Sequence, residues 1–195
     1  MKHSPENAID SAAKRNAIRR EGIAKREAMA ADEHQQRSHQ IETRLELELR
    51  QHAPGMLAFC WPYRAEFDAR ALVTRLLSQG WRACLPVVGE NVGPMHFREW
   101  TPETPMQADK HGILTPQSGI EVKPDVLLLP FNAIDAQGYR LGYGAGYFDR
   151  TLASLQPAPY VIGVGFALAK VDTVYPQAHD IPVQCCITEI DLYHF

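Results

Sequence analysis

Residues 140–150 read RLGYGAGYFDR, the densest concentration of chemistry-bearing residues in the chain. Gly142, Gly144 and Gly146 stand at alternate positions, and glycine reaches backbone angles closed to residues with side chains. A loop of this kind turns successive N–H groups into one concavity that fits a phosphate chain, and a helix beginning near Phe148 adds its positive end. Arg140 at the loop entrance supplies a fixed cation, and Asp149 at its exit supplies oxygen for Mg2+. The bare GxGxG pattern also occurs in ordinary turns. Two established nucleotide fingerprints do not apply: GxxxxGK[ST] is absent, and GxGxxG fails because Tyr147 holds the third glycine position.

Between Lys14 and Arg26 six cations face one acid, Glu21. Such a run is read as a solvated helix face or as a contact for an anionic partner. A net charge of -3 and a pI near 6.2 argue against a surface that grips nucleic acid as a whole.

The elements that must position these residues alternate along the chain. Residues 9–31 and 33–51 hold no proline, and Ala, Glu, Arg and Gln dominate them, which predicts two helices with Asp32 capping the second. Ile41, Leu45 and Leu49 fall at i, i+4 and i+8 and give that helix one apolar face. Apolar runs at 56–61, 82–88, 126–130, 160–166 and 186–188 read as buried strands. A helix over 68–79 stops at Gly80, and a short one includes 151–155. Strands alternating with helices imply α/β architecture: a three-layer open sheet, mostly parallel, with helices on both faces, and no dinucleotide-binding fingerprint. The Pro-rich stretch 102–124 is read as a loop able to close over a site.

The chain of 195 residues is 45% hydrophobic and 22% charged, which excludes disordered and collagen-like classes and fits one domain over 1–195. No run approaches the ~20 apolar residues of a membrane span, and the charged segment 1–26 lacks the apolar centre of a leader, so a cytoplasmic protein is expected. Cys60, Cys84, Cys185 and Cys186 form no CxxC pair and are expected to be buried free thiols.

The segment RLGYGAGYFDR resembles the signature of the 5-formyltetrahydrofolate cyclo-ligase (5,10-methenyltetrahydrofolate synthetase) family. IRREGIAKREAM from Ile18, WPYRAEFD from Trp61, LPVV from Leu85, HGILTP from His111 and HDIPVQCCITE from His179 agree in order, so the likeness covers nearly the whole chain. It implies ATP as co-substrate, Mg2+ as metal and a small-molecule folate as substrate, without nucleic-acid or membrane partners, in a monomer or weak dimer. By the resemblance, Arg15 and Arg19 bind ATP phosphates, with Lys14 a substitute, and the nucleotide lies along Arg140, Leu141, Gly142, Tyr143, Gly144, Ala145, Gly146, Tyr147 and Phe148. Trp61, Glu66, Tyr143, Gly144 and Tyr147 are the expected folate contacts, and Asp149 and Asp180 the expected metal ligands. Glu66, Arg140 and Tyr147 are the expected catalytic residues.

The implied chemistry has a physical rationale. An N5-formyl group is amide-like, so N10 cannot displace its oxygen until phosphorylation by ATP turns that oxygen into a leaving group; Arg140 and the loop N–H groups then face the transferring phosphoryl. The chain departs from the family pattern at Cys60, Thr115, Phe148, Lys170 and Gln184, which bears on substrate affinity.

Overall fold

The computed structural model describes residues 5–91 and 93–195, with side chains from Asp10 onward. Residues 1–4, part of the segment read as lacking a leader, lie outside that range. Among the described residues no helix is long and apolar enough to cross a membrane.

Both N-terminal helices form, as α1 (Pro5–Glu27) and α2 (Ala31–Leu49). The residue at the start of α2 is Ala30, not Asp32, and it makes no capping bond; Asp32 and Glu33 occupy the first turn, where carboxylates favour the helix's positive end. The apolar stripe of α2 is where its spacing puts it, with Ile41, Leu45 and Leu49 buried. In α1 the inward face is unusual: the buried residues Arg15, Gly22, Ile23 and Arg26 recur at helical spacing, so its core-facing stripe is largely cationic.

From there the chain runs through β1 (Met56–Ala58), α3 (Arg70–Leu77), β2 (Arg82–Val87), β3 (His96–Trp100), β4 (Met106–Ala108), β5 (Leu114–Pro116) and β6 (Glu121–Val122). It continues through β7 (Val126–Pro130), β8 (Ala133–Ile134), β9 (Arg140–Leu141), α4 (Tyr147–Ser154), β10 (Tyr160–Val164), β11 (Cys185–Ile187) and β12 (Leu192–His194). The main sheet has eight strands in the order β12-β11-β10-β7-β1-β2-β3-β6. The inner five are mutually parallel, while β12, β3 and β6 join antiparallel at the edges. The mostly parallel α/β sheet of the sequence reading is therefore present.

Period-two alternation sorts the inner strands onto two layers. Leu57, Leu85, Leu128, Ile162 and Ile187 pack against α2 and α3, while Ala58, Cys84, Leu127, Leu129 and Cys186 pack on the side of α4. Helices thus cover both faces. All four cysteines are free, and three are buried; Cys60 is only partly so.

The Pro-rich stretch 102–124 is not a plain loop: it holds the β4–β5 hairpin and the edge strand β6. The chain runs outward from β1 to β2 on one side and from β7 through β10 to β11 on the other. The direction reverses between β1 and β7, and in open α/β sheets that crevice, beyond the strands' carboxyl ends, is where ligands bind.

Candidate active site

A cleft of about 610 Å³ opens at the carboxyl ends of β1 and β7. Every residue expected at the site lines it except the substitute Lys14, which pairs with Asp10 on the exposed side of α1: Trp61 and Glu66 beyond β1, residues 140–149, Arg15 and Arg19 from α1, and Asp180. Across from them stand Asp109, His111 and Thr115 of the β4–β5 hairpin, whose tip meets the glycine loop where the His111 and Tyr147 rings approach edge-on at 5.8 Å.

The loop is anchored at both ends. Arg140 and Leu141 are buried in the two-stranded β8–β9 ladder, with the Asn132 N–H donating to Leu141 O at 2.7 Å. At the far end Gly146 takes the left-handed region (φ +66°) directly before α4, and Gly144 has φ +101°. These angles explain the two glycines and leave the start of α4, beginning at Tyr147, facing the cleft.

The charges are paired as follows. Arg140 Nη1 donates to Asp149 Oδ1 at 3.1 Å and to Ile181 O at 3.0 Å, while Ile181 N–H also donates to Asp149 Oδ1. Arg15 holds Asp180 with both nitrogens, at 2.5 and 3.0 Å. Burial alone would raise the Asp180 carboxyl, but the Arg15 hydrogen bonds and the Gln177 N–H outweigh it and hold the group below the usual carboxylate range. Arg19 instead donates to Gly142 O and to Asn16 Oδ1. Burial, reinforced by the neighbouring charge of Arg15, lowers its pKa.

At the opposite end Glu66 is buried and accepts from Tyr63 N–H and from the Tyr143 hydroxyl, each at 3.1 Å. Arg26 donates to that hydroxyl, to Asn132 Oδ1 and to Arg64 O. Burial pushes the Glu66 carboxyl up, opposed first by the Arg26 charge and then by the two hydrogen bonds. The Tyr143 phenol is raised by burial and by the charge of Glu66. Trp61 carries the Arg70 guanidinium over its ring at 4.5 Å.

Two residues of this region did not stand out in the sequence. Arg26 counted there only as one cation in a run, though its spacing from Arg15 and Arg19 puts it on the same helical stripe. Asn132 follows β7, lines the cleft, and leaves its buried Nδ2 without a partner. Buried polar atoms are nearly always satisfied, so this amide is a donor left open toward the cleft.

An open sheet whose switch-point cleft joins arginines and a glycine loop to a buried carboxyl network is the arrangement of an α/β enzyme. Residues 11–189 match the model of the 5-formyltetrahydrofolate cyclo-ligase family. The chain belongs to that family.

It is 30% identical over 178 residues to the 5-formyltetrahydrofolate cyclo-ligase of Haemophilus influenzae, covering 87% of this chain and 95% of the relative. The Escherichia coli K12 enzyme of the same name is 27% identical over 171 residues, covering 84% and 94%. The 5,10-methenyltetrahydrofolate synthetase structure from Aquifex aeolicus superposes with a TM-score of 0.78 at 25% identity, covering 92% of each chain. The Mycoplasma pneumoniae structure, at 22% identity and TM-score 0.75 over 90% of this chain and 98% of that one, supports the fold.

Proposed function

We propose that this chain converts 5-formyltetrahydrofolate to 5,10-methenyltetrahydrofolate, using ATP with Mg2+ and releasing ADP and phosphate. The observation that carries the reading is the joining of two unlike half-sites in one cleft: the arginine-flanked glycine loop, and the Glu66–Tyr143–Arg26 network.

The residues fit a nucleoside triphosphate. Gly142 has no atom within 4 Å of the place a Cβ would take, so its backbone is open to close approach. The Arg19 guanidinium lies over Gly144 and, among the described residues, makes no ion pair with a carboxylate. For Mg2+, Asp149 fits better than Asp180: its hydrogen bonds from Arg140 and Ile181 fall on Oδ1 and leave Oδ2 to a cation, whereas both Asp180 oxygens are engaged by Arg15. One carboxylate plus phosphate oxygens suffices for this metal.

The bound nucleotide supplies the phosphoryl group that makes the formyl oxygen a leaving group. Arg140 faces the charge that develops there, and Asp149 keeps the guanidinium aimed. Glu66 and Asn132 fix the pterin so that N10 lies in attack geometry, which contributes up to ~7 kcal/mol or more. The β4–β5 hairpin and Tyr147 narrow the cleft mouth and limit water.

Mixing the protein with 5-formyltetrahydrofolate, ATP and Mg2+ is expected to raise the near-ultraviolet absorbance of the methenyl product; no ATP-dependent rise would overturn the reading. In the same assay Glu66→Gln keeps side-chain size but loses the charge, so folate affinity or turnover falls about ten- to a hundredfold with ATP affinity unchanged. A defect confined to ATP would assign Glu66 to the other ligand.

Asn132→Asp preserves the oxygen that Arg26 holds and replaces the unpaired Nδ2 donor by an acceptor. KM for the folate is expected to rise about tenfold in a variant that thermal melting shows to be folded. An unaltered KM would show that this amide meets no substrate.

A further inference from the structure

At the other end of the sheet, where β10 and β11 begin, a second group of metal-binding side chains converges. Cys185 and His194 are direct cross-strand partners in the antiparallel β11–β12 ladder, so backbone register sets their proximity. Glu48 comes from the last turn of α2, on the stripe that also carries Ile41 and Leu45. The Cys185 sulfur, a Glu48 carboxylate oxygen and a His194 ring nitrogen all lie within 4.8 Å of one another. The glycine-loop cleft does not include any of the three.

We propose that Glu48, Cys185 and His194 bind one borderline-soft divalent cation of the zinc type. A thiolate, an imidazole and a carboxylate are the donor mixture that suits zinc, whereas Mg2+ and Ca2+ take oxygen alone. Bond lengths of about 2.0–2.3 Å set tetrahedral ligand separations of roughly 3.3–3.8 Å, so Glu48 Oε2 and His194 Nε2, 3.5 Å apart, already stand at that spacing, and no pair needs to close by more than about 1.5 Å.

The surroundings already orient the donors. The Tyr160 hydroxyl lies 3.2 Å from both Glu48 Oε1 and His194 Nδ1. With Nδ1 protonated, His194 donates to Tyr160, Tyr160 donates to Glu48, and the Nε2 lone pair is left facing Glu48 Oε2 at 3.5 Å. A ligand histidine held through its other nitrogen is the usual outer-shell arrangement. Glu48 is also the one acid among the apolar residues of its helix stripe, with its side chain only 4% exposed, and a buried carboxylate calls for a cation. The His194 side chain is 57% exposed and provides an entry route. His52, whose Nε2 lies 3.6 Å from Glu48 Oε1, borders the fourth position.

Binding forms a metal–sulfur bond and releases the Cys185 thiol proton to solvent. Burial, with the Glu48 charge, pushes that thiol up to about 12, so it is the cation that must displace the proton. The bound ion would tie the C-terminal strand β12 to α2 and β11.

Cobalt is the spectroscopic probe. Chelator-treated full-length chain titrated with Co2+ is expected to gain a thiolate-to-cobalt charge-transfer band saturating at one equivalent and bleached by Zn2+. The band disappears in Cys185→Ser and persists in Cys60→Ser, the half-buried cysteine of the catalytic cleft. His194→Ala, at an exposed position, weakens cobalt binding at least about tenfold in a folded protein. Absence of the band, its survival in Cys185→Ser, or its loss in Cys60→Ser would each overturn the assignment. Should Cys185→Ser fail to fold, unchanged cobalt affinity in His194→Ala overturns it as well.

Discussion

Arg140→Ala is expected to lower kcat about a thousandfold while the protein stays folded. The guanidinium faces the glycine loop from a buried position, where a charge aimed at a transferring phosphoryl group is worth about 10²–10⁵ in rate. Its removal leaves the Ile181 carbonyl and one Asp149 oxygen short of a donor, at a cost of about 1–3 kcal/mol, although the Ile181 N–H still holds that oxygen. Arg140→Lys should fall between the two because it keeps the charge and loses the planar fork. Steady-state kinetics with ATP as varied substrate, alongside thermal melting, checks this; wild-type kcat and ATP KM in folded Arg140→Ala would remove the residue from the phosphate site.

The second large effect is expected from Gly144→Val. At φ +101° any L side chain is strained, and a Cβ here would meet the Arg19 guanidinium carbon at 3.4 Å. A β-branched residue both disfavours the loop's conformation and stands where a phosphate approaches. Nucleotide affinity should drop roughly a hundredfold or more, since strain of ~1–3 kcal/mol adds to the lost approach. The same strain lowers the melting temperature by roughly 2–4 °C per kcal/mol in a chain of this size, while the exposed position leaves the core untouched and the protein folded. Calorimetric titration with ATP decides the matter, and normal affinity would move the nucleotide away from this loop.

The parallel core was legible because β7 and β10 are buried on both faces and read as continuous apolar runs. Edge strands lack that signature. The β3 segment HFREW sets Arg98 and Glu99 side by side between Phe97 and Trp100 and so breaks the period of two, and β6 and β8 are two residues long, too short for any periodic pattern. The glycine loop was legible through its spacing, and Arg15, Arg19, Glu66 and Asp180 through family likeness.

The pairing of Arg15 with Asp180 joins residues 165 positions apart, and no local pattern announces it. Arg26 was hidden because the exposed Arg20 and Lys25 beside it share its charge. Two departures from the family pattern also find their reason only in three dimensions. Lys170 binds Asp191 and the Tyr193 hydroxyl, and Gln184 accepts the Val161 N–H, both away from the cleft. Thr115 does line the cleft but is buried, its hydroxyl donating to Pro86 O.

Gly22 lies against the chain just past β7 so closely that a Cβ would fall 1.9 Å from the Asn132 carbonyl oxygen. Helix α1 therefore rests on a fulcrum. Arg15 and Arg19 lie on one arm, beside the glycine loop, and Arg26 on the other, beside Glu66; Arg15 and Arg26 are about 16 Å apart at 1.5 Å per residue. A helix is stiff over that length, so the two arms cannot be displaced independently of one another. On the proposed function, linkage makes the two half-sites partners: whatever free energy nucleotide lends to folate binding through this helix, folate returns in equal measure.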